Sequence, residues 1–231
     1  MLYTLVIRPF EFLIGSLFQW LAAMTGNYGI SLILLSIVVS TLLIPFAHFA
    51  EKLQQKERDI QQRMKPKMEE YKSVFKGYEL HLYISNLYRF HHYHPIYALR
   101  GLLGLLIQLP LFIGAYSYLT EYAGINGVSF LFLQDLGAPD NLIQIGSMRI
   151  SILPFVMTVV NVLSGYVYGK EMSKSENISI VAIALFFLVI LYNAPSGLLL
   201  YWTCNNLFNL GKNLIYRQVK LKKTIVGRVL A

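Results

Sequence analysis

Charge is scarce in this chain. Only 14% of its 231 residues are Asp, Glu, Lys or Arg, against 55% hydrophobic, and a soluble domain of this length needs far more charged surface. Cysteine is nearly absent. Cys204 stands alone, which excludes an internal disulfide framework and a Cys-rich metal site. A phosphate-cradling glycine loop of either familiar pattern is missing. No carboxylate or histidine falls in the middle of a long apolar stretch, which argues against a proton-relay carrier or an aspartyl intramembrane protease. Ser40 has no His or Lys near it in its own apolar run, so a serine nucleophile lacks a base. The "HHYH" of His91, His92 and His94, with His81 upstream, reads as a solvated loop end before it reads as a metal site. The expectation is a protein that is not an enzyme and takes no cofactor or metal.

What is present is apolar length. Five stretches, at 28–48, 100–120, 149–169, 177–193 and 196–216, are each long enough to cross a hydrocarbon core, which needs about 20 apolar residues. The net charge of +8 is local. Lys52, Lys56, Arg58, Arg63, Lys65, Lys67, Lys72, Lys76 and Arg89 lie between the first two stretches. Lys170 and Lys174 lie in the third link, and Arg217, Lys220, Lys222, Lys223 and Arg228 close the chain. Segment 121–148 holds Glu121, Asp135 and Asp140 with no Lys or Arg. Positive loops stay on the cytoplasmic side, so 49–99, 170–176 and the C-terminus are expected inside, and 121–148 and the N-terminus outside.

Residues 1–27 read as an amphipathic helix lying flat on the outer interface; a sixth span, which would place the N-terminus inside, is the alternative. Phe10, Leu13, Ile14, Leu17 and Leu21 share one face, while Arg8, Glu11, Gly15 and Gln19 line the other. Segment 49–98 is patterned as a charged helical hairpin turning near Gly77. Pro66 is expected to kink or restart its first arm, and its few apolar residues predict an arm that is mobile relative to the spans. The fold class is therefore an all-α membrane protein. It has five transmembrane helices (core 28–216), an N-terminal amphipathic interfacial helix, a cytoplasmic helical hairpin and a basic tail at 217–231.

Polar side chains inside lipid must face protein or water. Within "SIVVSTLLIPF", a run that stops at Pro45, Ser36 and Ser40 are four apart and align on a helix. Gln108 stands among leucines beside Pro110. Thr158, Asn161, Ser164 and Tyr168 fall on one face of the third stretch; Tyr201, Asn205 and Asn209 align on the fifth, with Thr203 and Asn206 nearby. The fourth stretch is polar only at Asn193 and reads as lipid-facing. These stripes outline a polar cavity walled by the first, second, third and fifth stretches. An ordinary hydrogen-bonded bundle interface explains each stripe separately.

Several stretches, in order, resemble the YidC-type membrane protein insertases and their organellar relatives. They are "NYGISLILLSIVVSTLLIPF", "RMKPKMEEYKSVF", "HPIYALRGLLGLLIQLPLFIGAYSYL", "FLFLQDLGAPD" and "NAPSGLLLYWTCNNLFNLGKNLIYR". The resemblance implies an insertase in the bacterial plasma membrane. It would move hydrophilic client segments across the bilayer through a groove open to the cytoplasm and to lipid, without nucleotide or metal. The groove residues on this reading are Ser36, Ser40, Gln108, Asn161, Ser164, Tyr201, Asn205 and Asn209. Partners implied are newly made membrane proteins and the lipid bilayer, with the ribosome (through the basic tail and hairpin) and the Sec translocon as further candidates. One departure stands out. Bacterial members usually carry an Arg where this chain has Ser40, so the groove here is expected to be neutral, with Arg100 and Arg149 near span ends at best snorkelling inward. The alternatives are a non-translocating assembly factor or scaffold for a specific partner and, disfavoured by the absent charges, a small-solute transporter.

Overall fold

The computed structural model describes residues 2–97, 103–146, 148–168 and 174–229. Arg100 and Lys170, and the side chains of the basic tail, lie outside the described residues. The chain is helical nearly throughout: α1 (Leu2–Thr25), α2 (Tyr28–Val74), α3 (Gly77–Phe90), α4 (Leu103–Glu121), α5 (Leu153–Tyr168), α6 (Lys174–Leu191) and α7 (Ser196–Val229). Between α4 and α5 lie a 3-10 turn at Ala123–Ile125 and two short antiparallel strands, β1 (Ile143–Ile145) and β2 (Met148–Ile150), paired Ile143 to Ile150. Two compact units emerge, one of Met1–Leu42 with Leu111–Ala231, the other of Leu43–Pro110.

In the first unit α1 hands over to α2 through Gly26. Its φ of +63° is left-handed, and its N–H bonds to the Ala22 carbonyl at 2.9 Å, closing α1. Asn27 then caps α2, its Oδ1 accepting from the Ile30 N–H at 3.1 Å. The buried face of α1 is Ile14, Phe18 and Leu21, and Phe18 sits among the rings of Tyr28, Tyr118 and Tyr122 at centroid distances of 5.9, 6.1 and 5.6 Å. Of the residues expected on the solvated face, Gln19 is exposed while Gly15 is buried against α4. Gly15 leaves room for the Tyr118 ring, which would stand 2.5 Å from any Cβ there, and Gln19 donates to the Tyr118 hydroxyl at 3.0 Å. The reason is the phenol, which gives the polar stripe a partner within the protein. Leu5, Phe12, Trp20 and Met24 remain exposed.

α7 is the central helix. From Ser196 to Asn206 every residue but the half-buried Cys204 is buried, the pattern of a helix surrounded on all sides. Its most extensive partner is α5; Trp202 packs on Phe112 of α4 and Phe187 of α6. α6 buries Ala184, Phe187 and Leu191 and exposes Leu185, Phe186, Val189 and Ile190. Among the described residues, two helices are long and apolar enough to cross a membrane, α1 over Leu5–Thr25 and α2; Leu153–Val167 and Ile178–Leu191 are shorter apolar stretches.

α2 runs as one helix through Pro45, inside the first expected stretch, and through Pro66, where it does not restart. Each proline removes one backbone bond, but the flanking turns are anchored, those after Pro66 by Met68 and Tyr71 on a small core. The break comes instead at residues 75–76, before Gly77 with φ +57°. α3 then folds back on the end of α2, with Phe75 stacked on Tyr83 at 4.1 Å. Met64, Leu87 and Tyr93 form a buried cluster flanked by Ile60, Met68, Tyr71, Tyr88 and Tyr97. The segment expected to have too few apolar residues to bury itself has a core of its own, built largely from tyrosines.

Candidate polar site on α2, α5 and α7

The polar stripes of α2, α5 and α7 are brought together on the central helix. Ser36 and Ser40 of α2 are buried, and the Ser36 hydroxyl is hydrogen-bonded to the Cys204 thiol of α7. On α5, Thr158 and Ser164 are buried and Asn161 is half-buried. On α7, Tyr201 and Asn205 are buried and hydrogen-bonded to each other, and Asn209 donates from Nδ2 to Asn205 Oδ1 at 2.9 Å. Gln108 is half-buried in the second unit, so it is not part of this assembly as described. Of Tyr168 only the backbone is described.

The site is neutral. Its side chains are hydroxyls, carboxamides, a phenol and a thiol, which donate and accept hydrogen bonds without carrying charge. Some are satisfied locally. Ser36 Oγ donates to the Ile33 carbonyl and Thr158 Oγ1 to the Pro154 carbonyl, both at 2.7 Å, the back-bonding usual for hydroxyls in apolar helices. Others are not. Ser40 Oγ, Thr203 Oγ1, Asn206 Nδ2 and Trp202 Nε1 are buried without a hydrogen-bond partner. A buried polar atom left unpaired costs about 1–3 kcal/mol, which makes these the least satisfied groups of the site. Among the described residues no His, Cys, Asp or Glu cluster could hold a metal ion.

Three elements were not legible as functional from spacing alone. Cys204 bridges α7 to α2. Trp202 presents an indole N–H with no acceptor. Glu57, lost among the hairpin's many charges, is buried and accepts from Tyr93 Oη at 2.6 Å and Gln61 Nε2 at 2.9 Å. A tyrosine downstream of α3, the one feature that could have flagged Glu57, is unremarkable in a chain with 16 of them.

Known proteins match most of this chain. The family model of the 60Kd inner membrane protein covers residues 20–224. The membrane protein insertase YidC of Pelobacter propionicus is 28% identical over 218 residues, 92% of this chain and 38% of the relative. That of Aquifex aeolicus is 28% identical over 226 residues, 96% of this chain and 41% of the relative. The Treponema pallidum insertase is 26% identical over 230 residues, 94% and 36%. This chain thus spans well under half the length of these relatives. A crystal structure of an active YidC insertase with its first transmembrane domain resolved shares the fold, with a TM-score of 0.54 at 24% identity over 91% of this chain and 46% of that one.

Proposed function

The chain belongs to the 60Kd inner membrane protein family, and from that premise we propose that it is a membrane protein insertase, not an enzyme, acting on newly made proteins in a bacterial plasma membrane. Hydrophilic client segments pass along a polar groove, and apolar segments leave into lipid. Five spans cross the bilayer, α1 lies at the outer interface, the α2–α3 arm and the C-terminal tail are cytoplasmic, and the N-terminus is outside. A charged client residue costs about 2.5–3.5 kcal/mol at the bilayer centre on insertion scales, and a hydrated groove shortens that barrier. The exposed apolar faces of α5 (Val159, Leu163) and α6 (Leu185, Val189) offer the emerging helix a surface as apolar as lipid.

The observation that carries this reading is the set of neutral polar groups gathered on α7 with Ser40, Thr203 and Asn206 unpartnered. A groove that takes successive polar guests needs donors and acceptors that neighbouring helices do not already occupy. Ser36, Ser40, Asn161, Ser164, Tyr201, Asn205 and Asn209 line it. With Ser40 where an Arg is usual, the groove carries no fixed charge.

The test is thiol labelling in a Cys204→Ser background. Cysteines at 36 and 40 react with small reagents from the cytoplasmic side; cysteines at Leu185 and Leu188 on α6 do not. Ser40→Arg accumulates normally and inserts an acidic-tailed client better than wild type, because opposite charges attract strongly where water is partly excluded. Unreactive cysteines together with a collapsed Ser40→Arg protein mean a dry interface, and favour the scaffold reading that the locally bonded Ser36 and Thr158 would suit.

A further inference from the structure

A two-residue hairpin turn is ordinarily among the most polar spots in a fold, built from Gly, Asn and Asp. Between α4 and α5 this chain does the reverse. Phe130 and Leu133 exchange both backbone bonds at 2.9 Å, which leaves Leu131 and Phe132 as the central residues of the turn. Leu131 is 78% exposed and Phe132 58%. Leu131 also has a φ of +53°, in the left-handed region where such a turn favours glycine. Among the described residues the other non-glycine residues with positive φ are His92 and Asn141, and both types tolerate it far better than leucine does. Water offers nothing to offset either the exposure or the strain.

The turn stands on a braced base. Leu133 is buried with Ile125 and Leu136, the Leu136 N–H bonds to the Val128 carbonyl at 2.9 Å, and Asp135 Oδ1 accepts from the Gly127 and Gly137 N–H groups at 2.9 and 2.7 Å. Asp140 is turned inward as well, its Oδ2 accepting from the Ile152 and Leu153 N–H groups at 2.6 and 3.1 Å. Segment 121–148 has no Lys or Arg, so the turn carries no charge and has none of opposite sign beside it in sequence. Its height follows from Phe130, whose ring lies directly on Gly29, where a Cβ would overlap it. Gly29 is the second residue of α2, and the stretch expected to cross the bilayer begins at 28. A helix rises about 1.5 Å per residue, so the turn stands where hydrocarbon gives way to headgroups. The surface around it is apolar too. Ile30 on α2 and Trp20 and Met24 near the end of α1 are exposed, and α1 reaches this level through Phe18, stacked on Tyr28 at 5.9 Å.

We propose that Leu131 and Phe132 form an anchor that inserts into the outer leaflet, at the boundary between headgroups and acyl chains. Both side chains leave water there, and their burial offsets the strained φ. Having no charge, the anchor takes a neutral lipid surface and needs no anionic lipid. It ties the segment after α4, and through Phe130 the first turn of α2, to a fixed depth. This rests on the reading above that the segment lies outside a membrane the chain spans, and adds the surface that meets lipid there.

The experiment uses the full chain in phosphatidylcholine vesicles, in a Cys204→Ser background with one nitroxide label per sample, attached through Phe132→Cys, Gln134→Cys or Leu185→Cys. Collision with oxygen, which dissolves in lipid, is compared with collision with a water-soluble nickel chelate added to one side at a time. The label at 132 meets oxygen and is shielded from nickel, as is the label at 185 on α6. The label at 134, two residues on and exposed, meets nickel from outside. Leu131→Asp, whose side chain tolerates the positive φ, shifts the nickel-to-oxygen ratio at 132 about tenfold toward water, the amount that burying one leucine is worth. Leu131→Gly, which suits the turn best, shifts it less. A label at 132 as open to nickel as the one at 134 overturns the anchor. So does a label at 132 shielded from both probes, which would mean a protein partner or a second copy seated on the turn. If the label at 185 meets nickel, or the label at 134 is reached only from the cytoplasmic side, the spanning topology has failed, and the anchor with it.

Discussion

Buried polarity inside the helices differs in kind between the two compact units. In the helices of the first, the polar side chains on α2, α5 and α7 are all neutral, and Ser40, Thr203 and Asn206 lack partners. The second, residues 43–110, buries an ionisable group, Glu57, and supplies its Oε1 with a tyrosine hydroxyl and a carboxamide while Oε2 has no partner. The outer surfaces differ in the same sense. The first unit exposes Leu185, Phe186 and Val189, while the second exposes charged pairs such as Lys65–Glu69 and Lys67–Glu70 at 3.9 and 3.4 Å. An isolated charge is costly to bury in either setting. A segment bathed in water can still bury one by pairing it, since every other charge stays hydrated. A bundle with few charges to spare gathers neutral hydrogen-bonding groups instead.

The comparison breaks most visibly if the second unit loses its core. Leu87 is 7% exposed in the Met64–Leu87–Tyr93 cluster, and Leu87→Ala is expected to cost about 2–5 kcal/mol, a large part of what so small a core can supply. Hydrogen–deuterium exchange across residues 49–97 rises to near the unprotected rate, while amides of α5 and of residues 196–206 keep their protection. Equal loss of protection in both would mean that the two units fold as one.

How far this division could be read in advance depends on which physical signal each part emits. The apolar runs and the Lys and Arg bias announce a helical membrane protein without help, because the bilayer demands length and apolarity in single segments. The break before Gly77 was legible for a similar reason, glycine being the residue that adopts φ +57° freely. Pro66, expected to kink or restart the first arm, does not restart it, since proline's cost is local and the long α2 absorbs it. On α1 Gln19 is exposed as its face predicts, but Gly15 is buried against Tyr118, because amphipathicity cannot say where a polar stripe meets a phenol instead of water. At the polar site the alignment of Tyr201, Asn205 and Asn209 was legible from helical spacing. The Ser36–Cys204 bond was not, since it joins residues distant in sequence.

Glu57 sharpens the comparison at intermediate cost. Glu57→Ala strands the Tyr93 hydroxyl in a buried setting, for about 1–3 kcal/mol. Tyr93→Phe alone costs less, because Gln61 still donates to the carboxylate. The double variant Glu57→Leu with Tyr93→Phe recovers part of the loss, the coupling expected of residues in direct contact. Tyr93 also titrates late: burial first, and then its bond to the Glu57 carboxylate, push its phenol from 10.0 up to about 12. The folded unit therefore favours the protonated phenol. Its contribution is fully present below pH 10 and is lost as pH rises through about 12. Exchange across 49–97 accelerates in that alkaline window in the parent and loses this component in Tyr93→Phe; an unaltered profile in the variant removes Tyr93 as the cause.

The smallest effect separates two serines one helical turn apart. Both are buried on α2, yet Ser36 Oγ donates to the Ile33 carbonyl at 2.7 Å and bonds the Cys204 thiol, whereas Ser40 Oγ has no partner. Removing a hydroxyl that is bonded forfeits a net contribution of about 0.5–1.5 kcal/mol; removing one that is unpaired forfeits nothing and relieves a desolvation penalty. Ser36→Ala is therefore expected to lower the thermal midpoint in detergent by a few degrees, and Ser40→Ala to leave it unchanged or raise it slightly. Activity should run the other way. If Ser40 serves passing polar segments, Ser40→Ala slows insertion of a client with a long polar tail more than Ser36→Ala does, without loss of protein. A Ser40→Ala protein that is both less stable and fully active would place a fixed partner on that hydroxyl, and would make the first unit treat its buried polarity as the second treats Glu57.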